Sequence, residues 1–220
     1  MSEICSIVLL TLRVCLLSTL ISTIFAIFWA FKLGIKDNKI VRVLKIITNA
    51  FTSLPPVIAG VVVYLLFSKN GVFGNLSWLY TEKVIVIAQI LIVTPIICAN
   101  IYPAVENIKT SFVETCIGLR LSKFRMNIQL LREVKFSIIS AIITGFGRAI
   151  SEVGAVMIVG GNIRYKTRVL TSAIVLENNK GNYAMSIRLG IILMLISFTI
   201  SILAMIFRGR ASDKVKKYRS

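Results

Sequence analysis

The sequence of 220 residues contains no histidine, and it has only 9 acidic residues against 26 lysines and arginines. Without imidazole, neither histidine-based acid–base catalysis nor a histidine-ligated metal site is possible. The 4 cysteines form no Cys-x-x-Cys pair, which favours small apolar residues over a metal site or a disulfide framework. A phosphate-binding loop of the Gly-x-x-x-x-Gly-Lys-Ser/Thr type is also missing. We therefore expect no enzyme active site, no metal and no cofactor in this chain.

Charge of either sign is scarce. Charged residues make up 16% of the chain, hydrophobic residues make up 56%, and the mean hydropathy is +0.85. Too few polar residues are present to coat a water-soluble fold of this size. A helix that crosses a bilayer needs about 20 apolar residues. The sequence therefore predicts an all-α membrane protein with about five transmembrane helices, at residues 14–31, 46–68, 84–105, 136–161 and 189–207.

The positions of the basic residues predict the orientation of the helices. Of the 26 lysines and arginines, 17 lie in the segments that follow the first, third and fifth spans. Because these residues are enriched in cytoplasmic loops, we expect the long loop 106–135 and the basic tail 208–220 in the cytoplasm. The short N-terminal segment 1–13 is then expected outside. The charges flank apolar runs and form no continuous patch, which argues against a nucleic-acid partner.

Three predicted spans contain features that an ordinary spanning helix lacks. In the second span, Pro55-Pro56 must bend or restart the helix, because proline has no N–H and its ring clashes with the preceding turn. In the third span, Thr94-Pro95 predicts the same kind of bend or restart. The fourth span holds Arg148 and Glu152, which are four residues apart and can pair. Charges at that depth must be paired or face protein or a water-filled path. Two interpretations stay open: the pair staples helices, or it lines or gates a translocation path together with Ser151 and Gly154.

Basic residues also follow the fourth span, on the side where the positive-inside rule predicts few of them. They stand at alternate positions: Arg164, Lys166 and Arg168. These basic residues do not change the orientation of the helices if the other loops fix the topology. Alternatively, they form an electrostatic funnel that raises the local concentration of an anion.

The segment from Glu114 to Glu133 resembles the coupling loop of permease subunits of type I ABC importers, which carries a Glu-Ala-Ala motif. In that family a glycine follows six residues after the glutamate, and Ile-x-Leu-Pro comes later. Alignment on Glu114 places Arg120 at the glycine and starts the next apolar span at Phe136, whereas alignment on Gly118 loses the glutamate. We prefer the first alignment. The resemblance then implies that the following residues couple the chain to an ATPase: Glu114, Thr115, Cys116, Arg120 and Glu133.

A second stretch, residues 145–164, has the sequence Gly-Phe-Gly-Arg-Ala-Ile-Ser-Glu-Val-Gly-Ala-Val-Met-Ile-Val-Gly-Gly-Asn-Ile-Arg. It resembles the fourth span of molybdate- and tungstate-importer permeases. Its Ser-Glu-Val-Gly-Ala run, the Ala-Ile-Val-Leu-Glu at 173–177 and the Ser-Leu-Pro-Pro-Val at 53–57 are more similar to the tungstate branch. The resemblance extends over residues 10–207, which therefore include the expected permease domain 14–207.

The resemblance implies a multi-pass subunit in the plasma membrane of a prokaryote. Its expected partners are a second copy of the chain, a dimer of cytoplasmic ATP-binding subunits and an extracellular oxyanion-binding protein. The expected cargo is tungstate, with molybdate as the alternative, and ATP is expected to be hydrolysed by the partner. The residues alone leave two other hypotheses open: an ion-coupled carrier that uses Arg148 and Glu152, and a structural membrane protein without a transport path.

Overall fold

In a computed structural model, residues 3–217 of the chain are described, without the side chains of Ala204 and residues 207–217. The end of the predicted basic tail, residues 218–220, lies outside the described residues. The described residues form nine α-helices and one 3-10 turn at Gly74–Leu76, and they contain no strand. The helices are α1 Glu3–Ile35, α2 Lys39–Thr52, α3 Pro56–Phe67, α4 Glu82–Gly118, α5 Lys123–Glu133, α6 Lys135–Ile150, α7 Gly154–Gly160, α8 Leu170–Asn179 and α9 Tyr183–Lys217.

Three of these helices, α1, α4 and α9, are long and apolar enough to cross a membrane. The bent pairs α2/α3 and α6/α7 also qualify if each pair counts as one span, which gives up to 5 spans. A helix can cross a bilayer because it satisfies its own backbone hydrogen bonds. The predicted all-helical membrane architecture is therefore confirmed, and the first and last predicted spans lie within α1 and α9.

The segment 106–135, expected as a loop in which the apolar residues over 119–131 recur at helical spacing, is mostly helical. α4 continues to Gly118, and α5 occupies most of the remainder. Residues 104–117 contain neither glycine nor proline, so nothing in the local sequence ends the helix there. At 1.5 Å per residue, the 37 residues of α4 extend over about 55 Å, which exceeds a hydrocarbon core of about 30 Å.

The pair α1 and α4 forms the centre of the bundle. The inward face of α1 consists largely of small side chains that recur every three or four residues, and small residues allow helices to approach closely. Large apolar residues occupy the opposite face, where Leu20, Ile24 and Phe28 are 60%, 70% and 60% exposed. The small buried side chains of α1 are those of Thr11, Cys15, Ser18, Thr19, Ser22, Thr23, Ala26 and Ala30, and the larger buried ones are those of Ile7, Val14, Phe31 and Leu33.

The other helices surround this pair. α6 packs between α4 and α9, α3 packs against α7, and α8 packs against α9. α2 follows the second half of α4, where Lys45 Nζ lies 2.7 Å from Glu106 Oε1 and Asn49 Nδ2 donates to Tyr102 Oη at 2.8 Å. We call the end of the bundle with Trp78, the start of α4 and the α7–α8 connection the Trp78 end. The opposite end, with the C-terminus of α4 and with α5, is the coupling end.

Candidate functional site

The two interrupted spans meet where each of them restarts. α3 begins at Pro56 and α7 begins at Gly154. A Cβ atom added at Gly154 would lie 2.8 Å from Val57 Cγ2, and one added at Gly60 would lie 2.7 Å from Ala155 Cα. Both separations are well below the optimal distance between packed carbon atoms, about 3.5–4.0 Å. Glycine at these two positions therefore allows the backbones of α3 and α7 to touch.

The break between α2 and α3 follows from the local sequence, as predicted. α2 ends at Thr52, and α3 restarts with Pro56 in its first position, where the missing N–H has no intrahelical partner to lose. The axes of the two helices differ by 98°. Within residues 53–55, Ser53 N–H donates to Ala50 O at 3.1 Å, which closes the end of α2.

The break between α6 and α7 corrects the expectation of one continuous helix over residues 136–161. α6 ends at Ile150, α7 starts at Gly154, and their axes differ by 59°. The carboxylate of Glu152 caps the start of α7, because its Oε1 accepts a hydrogen bond from Ala155 N–H at 3.1 Å. It thereby supplies one of the acceptors that the first turn of a new helix requires.

Side chains from distant segments bind the carbonyl groups at this break. Gln89 Nε2 on α4 donates to Ala149 O at 3.2 Å, and Thr171 Oγ1 on α8 donates to Glu152 O at 2.7 Å. Ser18 Oγ on α1 donates to Gln89 Oε1 at 2.7 Å. All of these side chains are buried. The break is therefore held by hydrogen bonds from α4 and α8, and Ser18 of α1 holds Gln89 in place, in a region where water cannot replace these bonds.

The charged pair forms at the same break. Arg148 Nη1 donates to Glu152 Oε2 at 2.8 Å, so the predicted pairing is confirmed, although it crosses the end of α6. The side chain of Glu152 is 2% exposed, whereas that of Arg148 is 32% exposed. Both carboxylate oxygens are thus bonded inside the protein, while the guanidinium keeps an accessible side. Of the two charges, only that of Arg148 can meet an oxyanion directly.

The other two residues predicted for a translocation path have different surroundings. Ser151 is exposed next to the pair, and its hydroxyl donates to Gly147 O. Gly154 packs against Val57 and thus serves the contact between helices. Our sequence reasoning missed Gln89, although an amide within the otherwise apolar run 84–105 was a usable signal.

The basic residues of the α7–α8 connection are partly neutralised. Glu3 at the start of α1 accepts from Arg164 Nε at 3.0 Å and from Arg168 Nη1 at 2.9 Å. The hydrogen bonds with Glu3 raise the pKa of the Arg164 guanidinium. Lys166 is exposed, and within the described residues it forms no ion pair. The connection therefore carries less free positive charge than its sequence suggests.

The coupling end carries the residues of the resembling motif. Glu114 and Thr115 are exposed near the end of α4, whereas Cys116 is 3% exposed. Arg120 has a φ of 49°, a left-handed conformation that favours glycine. Alignment on Glu114 places the glycine of the motif at this position. Glu133 ends α5 and accepts a hydrogen bond from Gln129 Nε2 at 3.2 Å.

Large apolar side chains surround these residues at the surface. Ile117, Leu119 and Phe124 are 71%, 65% and 74% exposed, respectively. Ser122 initiates α5 by accepting from Arg125 N–H at 3.4 Å, which places Phe124 in the first turn. An exposed apolar patch rimmed by charged residues is typical of a protein-binding surface. The geometry therefore favours a partner protein at the coupling end.

Comparison with known proteins relates this geometry to a family. The family described as binding-protein-dependent transport system inner membrane component matches residues 10–217. The tungstate uptake system permease protein TupB of Campylobacter jejuni is 35% identical over 165 residues, 75% of this chain and 69% of that protein. TupB of Peptoclostridium acidaminophilum is 39% identical over 168 residues, 76% and 74% of the two chains. A probable anion ABC transporter permease protein of Haloferax volcanii is 30% identical over 186 residues, 82% and 80% of the two chains.

The close approach of α3 and α7 generates a first prediction. The substitution Gly60→Ala should lower the free energy of unfolding by about 1–3 kcal/mol, because the new methyl group meets the backbone of Ala155. Gly147→Ala is the matched control, since its Cβ would have only an ordinary contact, 3.4 Å from Ile200 Cγ2. Thermal unfolding in detergent compares the variants. Equal midpoints would contradict the packing of α3 on α7.

The charged pair generates a second prediction. The substitution Arg148→Ala should lower the free energy of unfolding by about 3 kcal/mol, because a buried carboxylate loses its counter-charge. This value is the low end for a buried pair, since Arg148 is partly exposed. The double variant Arg148→Ala/Glu152→Gln should regain part of that loss, since a neutral amide needs no cation. The measurement is again the thermal midpoint in detergent. If all three proteins unfold at the same temperature, the pair does not stabilise the break.

Proposed function

The chain belongs to the family of binding-protein-dependent transport system inner membrane components, and we propose that within it the chain is the permease of a tungstate importer. It is a multi-pass membrane protein of a prokaryote. One observation carries the choice of cargo: the chain is 35% and 39% identical to two tungstate uptake permeases over three quarters of its length. Molybdate, a tetrahedral dianion of the same charge, is the alternative cargo.

We propose that two copies of the chain act with a dimer of ATP-binding subunits and a separate oxyanion-binding protein. The coupling end faces the cytoplasm in this arrangement, in agreement with its excess of lysine and arginine. The ATP-binding subunits dock on the exposed apolar patch of Ile117, Leu119 and Phe124, next to Glu114. ATP is hydrolysed in those subunits, and this chain supplies no catalytic group. The binding protein docks at the Trp78 end, which includes Arg164, Lys166 and Arg168.

α4 is the element that connects the coupling end with the α6/α7 break. Its 37 residues form one helix, Glu82–Gly118, that starts at the Trp78 end and continues through Pro95 and Pro103. Gln89 on the same helix bonds to Ala149 O at the α6/α7 break. A shift of the coupling end therefore moves Gln89, and with it the support of the break. Packed helices move as rigid bodies between discrete arrangements. The structure thus supports coupling by displacement of α4.

The α6/α7 break is our proposed point of control in the translocation path. Arg148 presents the accessible side of its guanidinium, and Ser151 is exposed beside it. Guanidinium groups bind oxyanions through several N–H donors in a fixed geometry. Glu152 holds the opposite side of Arg148, so it sets the orientation of the guanidinium and reduces its net charge. Gly154 allows α7 to pack against α3 at this point.

The proposed function predicts ATP-dependent transport by a reconstituted complex. Liposomes that contain the chain, its ATP-binding subunit and its binding protein should take up tungstate only when ATP is supplied, because the chain itself has no phosphate-binding loop. Titration of the binding protein with both anions measures selectivity. If molybdate binds more tightly, molybdate replaces tungstate as the proposed cargo, and the proposed importer function still stands. Uptake by the chain alone, driven by an ion gradient, would overturn the importer.

The proposed docking surface predicts a defect in transport that can be measured separately from ATPase activity and from assembly of the complex. The substitution Glu114→Lys should lower transport by about tenfold, within the coupling free energies of about 1–3 kcal/mol that link distant sites, because it reverses the charge beside the apolar patch. Asn107→Lys is the matched control, since it places the same side chain on an exposed position of α4 before the patch. ATPase activity and co-purification are measured in parallel. Normal transport by the Glu114 variant would contradict the role of this residue.

A further inference from the structure

A groove between α1 and α4 opens at the Trp78 end of the bundle, and of the residues to which a role in transport is assigned above, only Lys166 lines it. It encloses about 700 Å³. Its walls are apolar and come from successive turns of the two helices. The wall residues are Leu17 and Ile21 of α1, and Val86, Ile87 and Ile90 of α4.

The mouth of the groove is positively charged. Arg13 and Glu82 face each other there, with 3.5 Å between Arg13 Nη1 and Glu82 Oε2, and so compensate each other. Lys83 and Lys166 also line the mouth and are exposed. Within the described residues neither lysine has a carboxylate partner. With Arg13 and Glu82 cancelling each other, the formal net charge of the four charged side chains at the mouth is that of the two lysines, about +2.

Aromatic side chains frame the same mouth. Trp78, Tyr80 and Tyr165 line it, and Lys83 Nζ lies 5.0 Å from the centroid of the Trp78 ring. Tryptophan and tyrosine are enriched where a membrane protein crosses from hydrocarbon to headgroups. This composition fits an arrangement in which the mouth lies at headgroup level and the apolar walls extend into the hydrocarbon region.

The groove is long enough for an acyl chain. A second apolar cleft of about 630 Å³ adjoins it at Ile90 and is lined by Phe25 and Phe28 of α1. From Arg13 to Phe28, α1 rises by about 22 Å. This distance reaches past the middle of a hydrocarbon core that is about 30 Å thick. A chain that starts at the cationic mouth can therefore follow α1 along both clefts.

We propose that this groove binds an anionic phospholipid, with the phosphate at Lys83 and Lys166 and an acyl chain along Leu17 and Ile21. Charge complementarity selects this occupant. A free oxyanion would lose its hydration against walls that offer no replacement hydrogen bonds. A neutral lipid would leave both lysines without a counter-charge. A second copy in a two-fold contact at the mouth would bring the lysines of both copies into one interface.

The test is lipid retention measured by native mass spectrometry. The chain is reconstituted in vesicles of equal parts phosphatidylglycerol and phosphatidylcholine and is then extracted in mild detergent. Phosphatidylglycerol should be retained preferentially, and Lys83→Gln/Lys166→Gln should reduce the preference by about tenfold or more, since each basic side chain contributes about fivefold near an anionic headgroup. Lys69→Gln is the matched control, because this exposed lysine lies at the same end but outside the groove.

A second variant tests the groove without a change of charge. Leu17 is an exposed wall residue of the groove, so the larger side chain of Leu17→Trp should fill part of the groove and lower the retention of phosphatidylglycerol. Equal retention of the two lipids by the unmodified chain, or a preference unaffected by loss of the two lysines, would overturn the proposal. Disulfide formation between two copies of Leu17→Cys in a Cys5→Ser background would assign the groove to a protein contact and also overturn it.

Discussion

A peptide group inside a bilayer has no water to bond, and this constraint determines how the chain can interrupt two of its spanning helices. The break between α2 and α3 meets the constraint locally, because proline removes a donor where a new helix starts. The break between α6 and α7 has no proline and needs outside partners. Glu152 caps the new helix, and Gln89 and Thr171 bind the carbonyl groups of Ala149 and Glu152. The rest of the candidate site depends on these few buried bonds.

Those bonds also determine which movements can reach the break. Gln89 belongs to α4, and its amide oxygen accepts from Ser18 on α1, so the position of the break is tied to the central helix pair. α4 in turn ends in the exposed coupling segment. Coupling between two distant sites needs a physical element whose conformational equilibrium both sites can shift. Here the element is a single helix with the coupling surface at one end and a hydrogen-bond donor to the break in its first half.

The sequence predicts features that local chemistry determines, but it does not predict features that depend on contacts between residues distant in the chain. The apolar runs, the break at Pro55-Pro56 and the spacing of Arg148 and Glu152 are all local, and the structure bears them out. The interruption after Ile150 is not local, because its partners on α4 and α8 are far away in sequence. The ion pairs of Glu3 with Arg164 and Arg168 join residues 161 and 165 positions apart, so no spacing rule could find them. The helix over residues 106–118 was missed for another reason: the apolar run that predicts the span ends at Val105, whereas the helix continues beyond it because nothing there breaks a helix.

A buried carboxylate next to the proposed path of an anion is consistent with transport when its charge is compensated. Glu152 has both oxygens bonded and is 2% exposed, so an approaching anion meets Arg148 first. The pair as a whole is neutral, and a neutral pair binds a dianion more weakly than a free arginine would. Weak binding suits a transit site, because a site must release what it binds for flow to continue. Glu3 limits the field of Arg164 and Arg168 in the same way. In the importer that we propose, high affinity for the cargo then belongs to the separate binding protein, and the permease provides a path of compensated charges.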